Sequence, residues 1–113
     1  SHGLTQSEIN RIMEESFDHA LSDFNARQLI EFSQTAERMF RGIEQCWAVA
    51  EETLSEEERQ ALRRQMDVVR NAMEGADAAA LKRQMDALGD LTRPLADTAM
   101  GQAVLEELQA AEG

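Results

Sequence analysis

Between Thr5 and Leu54 the chain has no proline and a single glycine, Gly42. One glycine inside a helix costs about 1 kcal/mol relative to alanine, too little to end a helix that is otherwise well supported. So long a stretch without a breaker constrains the fold more than any other feature. The composition points the same way: Ala, Glu, Gln, Arg, Leu and Met dominate, aromatic residues make up only 4%, and Tyr is absent. These are good helix formers, so the expected class is all-α. With 113 residues and a hydrophobic fraction of 42%, the chain is long enough for one domain with a modest core.

Local signals divide the chain into about five helical segments. Thr5-Gln6-Ser7-Glu8 is a capping box, and Ile9, Met13, Phe17, Ala20 and Phe24 follow at helical spacing. A second stripe runs Ala36, Phe40, Ile43, Trp47, Ala50 and Leu54, the seam of a helix packed on other helices. Ser55 with Glu58 forms another capping box, preceding Leu62, Met66, Val69 and Met73. Gly75 stands where a left-handed residue closes a helix. Asp77 caps a segment with Leu81, Met85 and Leu88; Gly89 and Pro94 mark a weakening or kink; Leu95, Met100, Val104 and Leu108 lie on a last helix. The expected bounds are about 5–20 for the first helix and about 21–53 for a long second one. Three antiparallel bundle helices follow at about 55–74, 77–92 and 94–109. A helix over Leu21–Glu52 alone is roughly 48 Å long, too long for so small a bundle, so it must break or project.

Charge excludes two classes of partner. Twenty-two acidic against 11 basic residues give a net charge of −11. Nucleic-acid binding draws its affinity from basic groups on phosphate, and an anionic membrane surface repels such a chain. No apolar run approaches the ~20 residues that span a bilayer, and no secretory leader is visible. A single cysteine, Cys46, fits a reducing cytoplasm.

Tests for catalytic chemistry come back empty. No two glycines lie close enough to build a phosphate loop. Glu15 and His19 share a helix face but read as a solvated pair, Cys46 as a buried inert thiol, and Trp47 and the six methionines as core. The expectation is a non-enzyme, with no catalytic residue, cofactor or metal site in this chain. One feature resists so bland a reading. Ile9, Met13, Phe17, Leu21 and Phe24 form a strongly apolar face, while the helices after Leu54 already have one another to pack on. That face is expected to cover something outside the chain, or to associate with itself.

Here the residues resemble a known family. Gly3-Leu4-Thr5-x-x-Glu8-Ile9 is similar to the segment opening the helical lid of the seventy-kilodalton, DnaK-like heat-shock chaperones. The similarity continues without a gap through Asp23, Leu29, Leu54-Ser55 and Glu74-Gly75-Ala76-Asp77, covering nearly the whole chain. Within the family, Asp23-x-x-Ala26-Arg27-x-Leu29 and Met100-x-Gln102-x-Val104 resemble the HscA branch, which serves iron–sulfur cluster assembly.

The resemblance implies a mechanical role. A lid of this kind docks on the upstream β-sandwich peptide-binding subdomain and slows release of a client peptide under ATPase control. ATP and Mg would belong to the ATPase domain, which this chain does not contain. The implied partners are that subdomain, a client such as an iron–sulfur scaffold protein, and a J-domain co-chaperone acting through other domains. The family's latch to the peptide-binding subdomain falls on Glu37 and Arg41, with Arg41 standing where the family has His. A chain cut off from the β-subdomain is expected to dimerise through the face from Ile9 to Phe24. The competing reading is a stand-alone acidic helical adaptor that binds a partner helix.

Overall fold

The computed structural model describes the backbone of residues 3–112 and the side chains of residues 3–100, 109 and 110. Four helices account for it: α1 (Gln6–Gln45), α2 (Trp47–Thr53), α3 (Glu56–Met73) and α4 (Ala78–Glu112). All are α-helical, and no strand occurs among the described residues.

The starts of α1, α3 and α4 are built by the residues that signal them, whereas α2 begins after Cys46 without a side-chain cap. The Thr5 hydroxyl accepts from the Glu8 amide at 3.1 Å, and the Thr5 amide donates back to the Glu8 carboxylate at 3.4 Å. Ser55 and Glu58 repeat the box at 3.1 and 3.0 Å. The Asp77 carboxylate accepts from the amides of Ala79 and Ala80 at 3.0 and 3.2 Å, satisfying donors that the first turn of α4 cannot use itself.

Two expected junctions do not exist. No break falls near residue 21; α1 runs unbroken for 40 residues, about 60 Å at 1.5 Å per residue. Leu21, Ser22 and Asp23 lie inside it, because Leu favours a helix, Ser and Asp cost only tenths of a kcal/mol each, and no breaker accompanies them. The interruption comes instead at Cys46, whose amide is shared between the carbonyls of Gly42 at 3.1 Å and Ile43 at 3.2 Å. At the other end, α4 passes through Gly89 and Pro94 and stays helical for 35 residues. Pro94 removes the donor that would meet the Asp90 carbonyl, but both residues are exposed, so water can serve that carbonyl.

Gly75 also differs from expectation. No glycine among the described residues has a positive φ. Instead, a Cβ on Gly75 would lie 3.3 Å from the Ala72 carbonyl oxygen, while the Gly75 amide bonds that same oxygen at 3.1 Å. The residue is small because the backbone approaches closely there.

The core sits in the distal half of the chain. Ala36 and Ile43 of α1, Ala50 of α2 and Leu54 after it meet Leu62, Met66 and Val69 of α3, and Leu81, Met85, Leu88 and Leu95 of α4. Phe40, Trp47 and Cys46 pack against this cluster half-buried, so Trp47 and the Cys46 thiol keep an edge in solvent. Among the methionines, Met66 and Met85 are buried and Met39 and Met73 partly so, but Met13 and Met100 are exposed. The side chains of Val104 and Leu108 lie outside the described residues. Asn25 meets the α3–α4 turn, and Gly42 to Cys46 face Thr92 to Ala96. So α1 and α4 run side by side in one direction, with α3 antiparallel to both.

The result is an arm and a bundle. From Ile9 to Phe24 every residue of α1 is exposed. That arm gives the molecule its extents of 87 × 33 × 16 Å.

Candidate docking face and latch

The arm carries the apolar face. Met13 and Phe17 are 65% and 64% exposed, and Leu21 and Phe24 are each more than half exposed. Ile9 is the least open at 37%. At about 100° per residue, these five side chains fall in a band about 120° wide. Beyond Phe24 the same direction along α1 carries Gln28, Glu31 and Thr35, so the apolar band ends where the bundle begins.

The band does not continue the seam that holds the bundle. Leu29, Phe32, Ala36 and Ile43 face the core from a direction about a third of a turn away. On the arm that core-facing direction is polar, occupied by Glu14, Asp18 and Ser22. The arm is therefore amphipathic toward a body other than its own bundle.

Glu37 and Arg41 lie on the distal half of α1, both exposed. Their direction is again about a third of a turn from the apolar band, on the side away from the core. Although one helical turn apart, they do not form one of the ion pairs among the described residues. Glu37 borders a shallow depression with Leu29, Ile30, Gln34, Met73 and Gly75, where α1 meets the end of α3. Both head groups are open to a partner.

Elsewhere the charges are spent locally. Arg63 lies over the Trp47 ring, 3.6 Å from its centre, and pairs with Glu44; Arg70 covers Phe40 at 4.7 Å and pairs with Asp67. These stacks join α1 and α2 to α3 on one side of the bundle, a role that residue spacing alone did not reveal. The Ser55 amide, and then its hydroxyl, hold the Glu58 carboxyl below its ordinary value. Among the described residues no group of acidic, His or Cys side chains is arranged to hold a metal. No buried polar side-chain atom there lacks a hydrogen bond. No described helix is long and apolar enough to cross a membrane.

The described residues thus form an all-α piece with a packed bundle and an exposed apolar arm. The family model of the Hsp70 protein matches residues 1–101, and the chain belongs to that family. It is a helical region of such a protein, not the ATPase domain. The chain is 38% identical over 105 residues to a "Chaperone protein HscA homolog" of Pseudomonas aeruginosa (strain LESB58), covering 92% of this chain and 17% of that one. The namesake of Pseudomonas putida is 39% identical over 93 residues, covering 81% and 15%. That of Methylococcus capsulatus is 33% identical over 104 residues, covering 92% and 17%. The chain thus spans 15–17% of the length of these relatives.

Proposed function

We propose that this chain is the helical lid of the substrate-binding domain of an HscA-like chaperone, covering the peptide groove and slowing client release. The observation that carries the reading is the run of exposed residues from Ile9 to Phe24, with five large apolar side chains on one side. An exposed apolar patch of that kind marks an interaction surface. The similarity to HscA homologues favours the upstream β-sandwich peptide-binding subdomain as its partner, and iron–sulfur cluster assembly in the cytoplasm as the setting. The client, an iron–sulfur scaffold protein in this reading, and the J-domain co-chaperone act through other domains, as do ATP and Mg.

The latch follows from the same reading. A partner seated on the apolar band reaches Glu37 and Arg41 only by wrapping about a third of a turn around α1. Loops can do that; the flat face of a sheet cannot. Freed of its partner, the band is open to a second copy of the chain.

The test uses the intact chaperone. Phe17→Ser with Phe24→Ser is expected to speed dissociation of a bound client peptide while leaving basal ATP hydrolysis unchanged. An unaltered off-rate would overturn the lid reading. Tight binding of a partner helix by the 113-residue chain alone, lost in the same double variant, would favour the adaptor instead.

A further inference from the structure

One side chain joins the arm to the bundle across more than fifty residues of sequence. The Asn25 side-chain amide donates to the Ala76 carbonyl at 2.7 Å, and its Oδ1 accepts from the Ala78 amide at 2.9 Å. Both partners lie in the turn between α3 and α4. Ala78 is the first residue of α4 and is buried. Its amide has no acceptor within its own helix, as is general for the first turn. Asp77 caps the next two amides with its carboxylate and the Leu81 amide with its carbonyl at 3.2 Å. The first amide of α4 is thus capped by α1, and the rest by the residue before it.

Position gives this contact a second meaning. Asn25 follows directly on Phe24, the last residue of the apolar band, and from Ile9 to Phe24 nothing is covered. Moving outward along α1 from the bundle, Leu29, Gln28 and Asn25 are the last residues with partial cover before the exposed run from Phe24 to Ile9. The hydrogen bonds of Asn25 are directional, and among the described residues they are the outermost ones between α1 and the bundle. Together the two bonds hold the α3–α4 turn against α1 just beyond the core contacts of Leu29, Phe32 and Ala36.

We infer that Asn25 is the clasp that keeps α1 straight where the arm leaves the bundle, and that opening this clasp lets the helix bend there so that the arm swings. A helix unwound at residue 25 loses both bonds at once. The helicity of α1 there and the capping of α4 are therefore coupled. The inference stands on these contacts and does not depend on what covers the arm.

The experiment places spin labels at Ser16→Cys on the arm and Asn71→Cys on α3, both exposed, in a Cys46→Ser, Phe17→Glu background of the 113-residue chain, which blocks pairing of the arms. Asn25→Ala is expected to broaden the inter-label distance distribution about twofold and to speed exchange of the Ala78 amide about tenfold. Asn25→Asp still accepts from Ala78 but offers no donor to Ala76, so it should broaden the distances with little change in that exchange. Should Asn25→Ala fail to fold, the Asp variant carries the measurement. Asp77→Ala should speed exchange at Ala79 and Ala80 and leave the distances narrow. Distances as narrow in the Asn25 variants as in the parent would overturn the clasp, and so would equal broadening by Asp77→Ala.

Discussion

Leu62 and Phe17 are both large apolar side chains at regular helical positions, yet they do opposite work. Leu62 is 0% exposed at the centre of the bundle, so Leu62→Ala should cost about 2–5 kcal/mol in transfer and cavity terms. Phe17→Ser removes a side chain that meets only neighbours on its own helix and should change stability by about 0.5 kcal/mol or less. Thermal unfolding of the two variants checks the contrast; a large loss on Phe17→Ser would mean that the arm is held by its own chain. Glu37 makes a finer case. In the intact chaperone Glu37→Ala is expected to speed peptide release by no more than about fivefold, since an exposed ion pair is worth about 0.2–1 kcal/mol. An unchanged off-rate removes Glu37 from the latch.

At the scale of the helix, the capping box of α3 links structure to pH. The Ser55 hydrogen bonds lower the Glu58 carboxyl below its ordinary value of 4.5. A carboxylate whose folded-state value is depressed stabilises fully above its unfolded value, and that stabilisation is lost as pH falls through the lower, folded one. Glu58→Gln should therefore be less stable than the parent at neutral pH, with the gap closing in acid below about 4.5. Denaturant unfolding across that range reads it directly, and a gap independent of pH would contradict the charge-based cap. Helix α4 gives a different lesson. Pro94 sits on an exposed face of a continuous helix, so Pro94→Ala should stabilise α4 and raise the thermal midpoint.

At the scale of the whole molecule, the arm has no partner among the described residues. We expect concentration-dependent dimers of the isolated chain by sedimentation, abolished by Phe17→Glu, because burying the apolar band between two copies removes it from water. A monomer at high concentration would count against self-association. An antibody raised to the chain should detect a native polypeptide several times larger than its own 12.7 kDa. A band at that mass would favour the stand-alone adaptor.

What the sequence by itself determined is local: helices without sheet, three capped starts at Thr5, Ser55 and Asp77, and the stripe from Ala36 to Leu54 that became the seam. Those features depend on a residue and its neighbours within one or two turns, which a linear pattern encodes fully. The apolar face of the arm was legible for the same reason. Tertiary structure decided the rest. Whether Leu21–Asp23 and Pro94 end a helix depends on whether neighbours demand a turn there, and none does. Asn25 reads as an unremarkable helix residue until the α3–α4 turn is brought against it, because both its partners lie more than fifty residues away. The Arg63–Trp47 and Arg70–Phe40 stacks escaped notice for the same cause: they join different helices, and only packing sets which side chains meet.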